Sequence, residues 1–306
     1  MRALLPTVGA VALIIVFGSP AAVTDATTLS GITHPSGITH PSDATHPSDA
    51  VTTESSPLPP QAQTRFLSQT DVCEEGSGLR RSGELHEFYF SRVAYSGFGG
   101  FGYRGGRSWA TDYPKADQIF LSFIDRLLSN LDAYDWQCPV LLADPNLRRF
   151  PFLYALEVGR MALRPDEVEG LRSYLLQGGF LVIDDFWGTQ EWANWEYEIR
   201  QVLPEYEMVD LPLDHNIFST FYEIDEILQV PNVGNGVRGG PTYERDGFVP
   251  VVRGIHDDKG RLMVVINWNT DLGDAWEWAD DPQYPLHYSL YAYEMGVNFI
   301  VYAMSH

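Results

Sequence analysis

Acidic side chains and one histidine follow predicted strands of this sequence, and they are its best candidates for chemistry. They are Asp184, Asp185, Asp214, His215, Asp271, Asp274 and Glu277. In an open parallel sheet, ligands bind in the crevice at the carboxyl ends of the strands, so we expect these side chains to meet there. Converging carboxylates can hold a hard cation or form an acid–base pair. The alternative is that Asp184, Asp185 and Asp214 cap helices or turns.

Asp185 and His215 are the predicted catalytic pair, with Asp184 as a second carboxylate beside them. A carboxylate can orient an imidazole and hold its charged form, so a ligand or metal would engage both groups. Asp214 precedes the histidine and is a predicted ligand contact. Asp271, Asp274 and Glu277 are predicted ligand contacts from a separate strand end.

Tryptophans accompany these acids and suggest a second kind of contact. Trp faces stack on sugar rings, while carboxylates bond the hydroxyls or cleave the linkage. Trp192 and Trp195 fall on the apolar face of a predicted helix, which favours a core position. Trp187, Trp276 and Trp278 are therefore the predicted platforms for a carbohydrate.

Residues 97–102 read GFGGFG and match the GxGxxG pattern of dinucleotide sites. Such a site needs a helix that begins within the motif, whereas the next predicted helix begins near Pro114. A nucleotide site is therefore disfavoured. Arg104 and Arg107 in the same loop can clamp an anionic ligand, and the alternative is a mobile surface loop.

No motif fixes a reaction, a cofactor or a metal in this chain. The GxSxG elbow, the SxxK pair, HExxH, CxxC and the Gly-Lys-Ser/Thr phosphate loop are absent from the sequence. Lys and Arg number 20 against 41 Asp and Glu, a net charge of −21. This charge repels phosphate backbones, so nucleic-acid binding is excluded as a function class.

Alternating strand-like and helix-like segments must position the candidate residues. The predicted strands are 88–95, 140–143, 152–156, 180–184, 207–211, 249–255 and 262–268, and the predicted helices are 114–131, 165–177, 192–202 and 286–304. The order favours a mostly parallel sheet with helices on both faces, an α/β three-layer sandwich, followed by a hairpin and a C-terminal helix. With 306 residues and 44% hydrophobic content, the chain can bury a sizeable core.

The first 64 residues are predicted to lie outside the folded domain. Arg2, an apolar run over 4–17 and small residues after it are typical of a secretory signal peptide, here residues 1–21. Residues 22–64 carry a repeated THPS unit and few apolar side chains, which predicts a disordered linker. We expect an exported protein, periplasmic or extracellular, without a membrane span after signal removal. Residues 65–306 are then a single α/β domain.

Cys73 and Cys138 are the two cysteines of the chain. In an oxidising compartment they can pair, and a bridge would stabilise the fold. The alternative is that Cys138 is a buried small hydrophobe while Cys73 stays free.

Six segments resemble a bacterial family called domain of unknown function 4159. They are GGRSWATDYP (105–114), FPFLYALEVG (150–159), LRPDEVEGLRSYLLQGGFLVIDDFWG (163–188), LPLDHNIFSTFYEI (211–224), DLGDAWE (271–277) and YEMGVNFIVYAM (293–304). The resemblance implies a class I glutamine amidotransferase-like fold, which is flavodoxin-like, and no settled activity. Amidotransferases with that fold place a nucleophilic Cys after a central strand. Here that position reads Asp184-Asp185, so glutamine hydrolysis by that route is disfavoured.

Three functions remain in different classes. The favoured one is an exported domain that binds a small polar or carbohydrate ligand at the carboxyl edge of the sheet. The second is a glycan-acting or metal-assisted hydrolase, which requires His215 and an Asp in one pocket. The third is an interaction module of a cell-envelope assembly, with a protein partner, which requires an exposed apolar patch.

Overall fold

The computed structural model of the protein describes residues 86–98 and 108–306. The predicted signal peptide, the predicted linker, Cys73, Arg104 and Arg107 lie outside these residues. So does most of the glycine-rich segment, of which Gly97 and Phe98 are described. All described residues belong to one compact unit.

Seven strands of the described ranges form one sheet. They are β1 (Ser91–Val93), β2 (Cys138–Val140), β3 (Phe152–Leu156), β4 (Phe180–Asp184), β5 (Met208–Asp210), β6 (Val251–His256) and β7 (Leu262–Trp268). Their spatial order is β2-β1-β3-β4-β7-β6-β5. The first five strands of this order run parallel, and β6 is antiparallel to both β7 and β5. The prediction of a mostly parallel sheet is confirmed.

Six α-helices connect or follow these strands in the same ranges. They are α1 (Lys115–Leu127), α2 (Pro165–Leu176), α3 (Gly188–Val202), α4 (Val233–Arg238), α5 (Leu272–Glu277) and α6 (Leu286–Ser305). Local sequence sets the ends of α2. Pro165 supplies the first helical position, and Glu167 accepts a hydrogen bond from the backbone N–H of Arg164 at 2.8 Å. Gly178, with φ of 110°, ends the helix.

Alternating side chains along β3 show that helices cover both faces of the sheet. Phe152 and Tyr154 pack with apolar residues of α1 and α6 in one core cluster. Leu153 and Ala155 pack with residues of α2 and α3 in the other. The period of two places successive residues on opposite faces. The fold is thus a three-layer arrangement of helices, sheet and helices.

Some elements differ from their predicted bounds. The strand predicted over 88–95 is regular only in β1, because Phe88 and Gly97 make isolated bridges on either side of it. The strand predicted over 140–143 lies earlier, at β2. Helices α4 and α5 were not predicted, since six residues are too few to show a helical period. Strand β5 is an edge strand that pairs only with β6 among the described strands.

Cys138 opens β2, is fully buried and is disulfide-bonded. The alternative of a free buried thiol at this position is therefore wrong. None of the described helices combines the length and the apolar character that crossing a membrane would require.

Candidate functional site

Left-handed backbone conformations concentrate at the edge where the parallel strands end. Glu157, Asp185 and Asn269, with φ of 52°, 45° and 61°, directly follow β3, β4 and β7. Asp112, with φ of 60°, precedes α1, and Arg245, with φ of 52°, precedes β6. They are the non-glycine residues with positive φ in the described ranges. Such conformations are uncommon outside glycine and cluster at functional sites, so they mark this edge.

Asp112, Asp271 and Asp274 form a carboxylate cluster at this edge. One carboxylate oxygen of each residue lies within 4.8 Å of the others. Two of the side chains are held by helix ends. Oδ1 of Asp271 caps α5 by accepting from the N–H of Asp274 at 2.8 Å, and Oδ2 of Asp274 accepts from the N–H of Val233, which begins α4, at 2.6 Å. The short helices therefore fix the cluster.

Asp184 lies next to the carboxylate cluster at the end of β4 and is fully buried. Its Oδ2 accepts hydrogen bonds from the Tyr154 hydroxyl at 2.7 Å and from the N–H of Gly273 at 3.0 Å. A Cβ at position 273 would lie 2.9 Å from Oδ2 of Asp112, 3.1 Å from the Tyr154 hydroxyl and 3.5 Å from Oδ1 of Asp271. Glycine at this position allows these groups to approach one another.

Two buried carboxylate oxygens of the site lack a hydrogen-bond partner within the part of the chain that the structure describes. They are Oδ2 of Asp112 and Oδ1 of Asp184. Buried polar atoms in native proteins are nearly always hydrogen-bonded, so each exception requires an explanation. A positively charged ligand at this edge would supply one.

Arg92 of β1 fixes the turn that carries Asp112. Its guanidinium is fully buried against Asp117, and its Nε donates to both oxygens of that carboxylate at 3.0 Å. Its Nη1 donates to the carbonyl oxygens of Thr111 at 3.0 Å and of Trp109 at 3.4 Å. Arg92 thus forms its ion pair with Asp117 and none with the carboxylate cluster, although its charge partly offsets the rise in the pKa of Asp112.

The other positive side chains near the carboxylate cluster also have their own partners. Nζ of Lys115 lies 3.7 Å from Asp280 and 3.9 Å from the ring centroid of Trp278. The guanidinium of Arg245 lies 2.7 Å from Glu191. No ion pair among residues 86–98 and 108–306 involves the three clustered acids. The three acids therefore have no direct ionic partner within these ranges.

Burial raises the pKa of the acids at this edge. The affected groups are Asp112, Asp184, Asp185, Asp271, Asp274 and Glu277. Burial raises the pKa of Asp184 to about 6. The pKa values of Asp112 and Asp271 lie well above the ordinary value, because neighbouring carboxylates add to the effect of burial. Acids with perturbed pKa values are typical of functional sites.

His215 lies away from this site, at the amino edge of the sheet. Its Nε2 is 3.2 Å from Nε2 of His256, the last residue of β6, which pairs with Leu262 at the start of β7. The strand register places Leu262 level with residue 179, six residues before Asp185, or roughly 20 Å along the sheet. The predicted pairing of Asp185 with His215 is wrong. Asp214 is exposed beside His215 and also lies outside the site.

A turn explains this separation. After β5 the chain reverses, with the N–H of His215 bonded to the carbonyl of Pro212 at 2.8 Å, and returns across the sheet. The residues after this strand candidate were expected at the carboxyl edge. Strand order along the chain does not reveal such a reversal.

Trp187 and Trp276 are not the predicted platforms, because they are only 3% and 1% exposed. The ring of Trp276 stacks on Phe120 with 4.4 Å between centroids. Nε1 of Trp187 donates to Oδ1 of Asp185 at 2.9 Å, which fixes that carboxylate. Trp278 is half-buried beneath Lys115. Burial therefore excludes Trp187 and Trp276 as carbohydrate platforms, while Trp278 has one face against Lys115.

Other aromatic side chains are exposed at the same edge. Tyr243 and Phe248 are 39% and 61% exposed, with ring centroids 4.7 Å apart, and Val249 is 64% exposed. Their loop is attached to the end of β7, because Nδ2 of Asn269 donates to the carbonyl of Val249 at 2.8 Å. Together Tyr243, Phe248 and Val249 form an exposed apolar patch.

Asp112, Tyr154 and Arg92 were not predicted as site residues. One signal pointed to Asp112: it lies just before a helix that follows a parallel strand, and such helices begin at the carboxyl edge. Tyr154 and Arg92 look like ordinary strand residues, since their partners are distant in sequence.

A depression of about 610 Å³ opens at the amino edge, lined by Gly178, Asn216, Lys259 and Arg261 among others. Arg261 is committed there to the carbonyl oxygens of Gly179 and Leu175, at 2.9 and 2.7 Å. Among the described residues, the arrangement of three acids that could hold a metal ion lies at the carboxyl edge and not in this depression.

The sheet and the acids at its carboxyl edge lie within a stretch shared with other proteins. A family model described as Domain of unknown function (DUF4159) matches residues 90–304. A comparison with curated proteins gives no match. The match to the family model extends from Phe90, one residue before β1, to Met304 in the last turn of α6, and it covers more than two thirds of the 306 residues. The chain therefore belongs to the family Domain of unknown function (DUF4159).

Proposed function

We propose that this domain binds a small, polar, positively charged ligand at the carboxyl edge of its sheet. The observation that carries the proposal is the carboxylate cluster of Asp112, Asp271 and Asp274, which forms no ion pair in the described ranges. An isolated buried carboxylate is unfavourable unless it is paired or neutralised. A bound positive group would relieve this penalty for several acids at once.

The site favours charge recognition over sugar stacking and over hydrolysis. Trp187 and Trp276 are too deeply buried to stack on a sugar ring. The predicted hydrolase needs an imidazole beside the carboxylate, and His215 lies at the other edge of the sheet. Binding through carboxylates requires neither feature.

We also propose that the fold is flavodoxin-like, as in class I glutamine amidotransferases, without their chemistry. The parallel strands follow the order β2-β1-β3-β4-β7, which corresponds to the flavodoxin-like order 2-1-3-4-5. The turn after β4 carries Asp185 where the amidotransferase resemblance would require a thiol. Glutamine hydrolysis through a Cys nucleophile is thus no part of the proposed function.

Export from the cell remains a proposal from the sequence, with a signal peptide ending near residue 21. The disulfide at Cys138 supports it, because disulfides persist in oxidising compartments. Mass spectrometry of the protein from the periplasm or medium should give an N-terminus near residue 22. A mature chain that begins at Met1 would contradict this proposal.

Titration of the purified protein with small amines tests the proposed function. Isothermal titration calorimetry with ethanolamine, putrescine and glucosamine should show saturable binding of at least one probe. Asp185→Asn and Asp274→Asn keep the shape of each side chain and remove its charge, so both should weaken binding. Asp125→Asn, on the exposed face of α1, is the matched control. Binding that is equal in all three variants, or absent for amines and metal ions alike, would overturn the proposal.

A second candidate is an interaction module, which the exposed apolar patch of Tyr243, Phe248 and Val249 favours. Large exposed apolar side chains in one place often mark protein contacts. A photo-cross-linking amino acid at position 248 should then give a defined protein adduct in the producing cell. The adduct should disappear in Val249→Ser, and no adduct at all would exclude this candidate.

A further inference from the structure

The donor set of the carboxylate cluster restricts the kind of ligand that fits it. Asp112, Asp271 and Asp274 offer only carboxylate oxygens, with no thiolate or imidazole among the described ligand atoms. Oxygen-only sets suit hard divalent cations, whereas zinc and copper prefer nitrogen and sulfur. We propose that these three residues bind one hard divalent cation of the size of calcium. This inference rests on the proposed function, since it names the ligand of the same site.

The burial and chemistry of the donors favour calcium over magnesium. The three ligand atoms lie within 4.8 Å of one another, close enough to share one ion. Calcium accepts about six to eight oxygen ligands in a flexible geometry, whereas magnesium needs a near-ideal octahedron and dehydrates reluctantly. Asp271 and Asp274 are only 3% and 6% exposed, which leaves little room for the waters that magnesium retains. We therefore expect calcium to bind more tightly than magnesium.

Helix caps fix two of the three carboxylates in advance. The carboxylates of Asp271 and Asp274 each accept a backbone N–H, at 2.8 and 2.6 Å, and these bonds fix both side chains before any ion arrives. Arg92 fixes the third by holding the carbonyl of Thr111, next to Asp112. The cluster is thus preorganised, and preorganisation favours binding because little ordering remains to be done.

Unpaired buried oxygens supply independent support for a cation. Oδ2 of Asp112 is inaccessible to solvent and has no hydrogen-bond partner among the described residues. Asp184 is fully buried, and its Oδ1 also lacks a hydrogen-bond partner among the described residues. Its Oδ2 accepts from the N–H of Gly273, which lies between Asp271 and Asp274 in the sequence. A bound cation would interact favourably with buried oxygens that have no hydrogen-bond donor.

Calorimetric and thermal measurements on the full-length protein test this inference. After dialysis against EDTA and then metal-free buffer, CaCl2 should bind with a stoichiometry near one. At a hundredfold excess over its Kd, it should raise the Tm by about 5–10 °C. MgCl2 should bind at least tenfold more weakly. Tb³⁺ is a luminescent probe of calcium sites, and Trp276, in the same helix as Asp274, is placed to sensitise its emission.

Matched variants locate the ion. Asp112→Asn and Asp271→Asn should each weaken calcium binding at least tenfold, while Asp125→Asn should leave it unchanged. Both variants should fold, since Asn also caps helices and tolerates the left-handed backbone at position 112. Circular dichroism verifies their folding.

The inference is overturned if CaCl2 gives neither heat nor a Tm shift, or if both cluster variants bind it like the control. Titration with putrescine distinguishes a failure of the calcium inference from a failure of the proposed function. Binding of putrescine that depends on Asp274, without calcium binding, would retain the carboxyl-edge site and reject only the cation.

Discussion

Asp117→Ala is expected to destabilise the domain by about 3–5 kcal/mol, because it leaves the charge of Arg92 buried without a partner. Both side chains are fully buried, and Nε of Arg92 donates to both carboxylate oxygens at 3.0 Å. Burial disfavours the charged guanidinium, but the charge and hydrogen bonds of Asp117, with smaller contributions from Tyr154 and Asp112, together outweigh burial and raise the pKa of Arg92. Because arginine stays protonated in proteins, the guanidinium remains charged when Asp117 is removed.

The hydrogen bonds that Arg92 loses in Asp117→Ala give a similar estimate of the destabilisation. Nε and Nη2 lose their acceptor in the variant, and each buried unpaired donor costs about 1–3 kcal/mol. The sum, about 2–6 kcal/mol, spans the range known for broken buried ion pairs. For a domain of about 200 residues, the Tm should fall by roughly 10 °C.

Urea unfolding followed by circular dichroism measures this loss, and an exposed pair of the same residue types is the control. Nε of Arg253 lies 2.7 Å from Asp210, whose side chain is 72% exposed. Asp210→Ala should cost at most about 1 kcal/mol, since water screens the pair. The double variant Arg92→Met/Asp117→Leu should recover most of the loss because it buries no charge.

Equal urea midpoints for Asp117→Ala and Asp210→Ala would refute this explanation, as would a double variant no more stable than Asp117→Ala. The double variant has a further consequence for the site. Without Arg92, the carbonyl groups of Trp109 and Thr111 lose a donor. Calcium binding should therefore weaken even though stability is largely restored.

Three further substitutions test the packing and the amino edge. Gly170→Ala should destabilise by about 1–3 kcal/mol in urea unfolding, despite a better helix propensity, because its Cβ would overlap the carbonyl of Leu142. Burial lowers the pKa of His215 and His256, so the unfolded chain binds more protons and stability should fall as the pH drops below about 6.5. In His256→Gln the urea midpoint should vary less between pH 7 and pH 5. Asn298→Ala should lower the Tm by several degrees, since the buried amide pairs with three backbone groups around residues 221–222.

Short apolar runs, and the proline and glycine residues at helix ends, made part of the fold predictable from the sequence. Residues 152–156 and 180–184 were predicted as strands and form β3 and β4. Helix α2 was predictable from Pro165 at its start and Gly178 at its end, because both residues restrict the backbone locally. Edge strands such as β2 are less predictable, since a single partner leaves their extent to the packing of the loops around them.

The candidate site was predictable only as far as strand ends determine it. Asp184 ends β4, Asp271 and Asp274 follow β7, and all three lie at the carboxyl edge, as parallel strands require. His215 and Asp112 depend instead on the paths of connecting segments. The segment after β5 returns His215 to the amino edge of the sheet. The segment before α1 places Asp112 next to α5, and Arg92 holds it there through a hydrogen bond to the carbonyl of Thr111. Neither path has a local sequence signal.

The composition of the chain does not by itself account for the unpaired acids of the site. Acids exceed bases by 21 in this sequence, so many carboxylates must lack an ionic partner somewhere. On the surface such carboxylates are solvated and need none. At the carboxyl edge, however, Asp184 and Asp271 are 0% and 3% exposed, and the nearby bases are engaged with other partners. An excess of surface charge does not require acids in the interior, so the burial of these acids is the feature for which the proposed positive ligand would account.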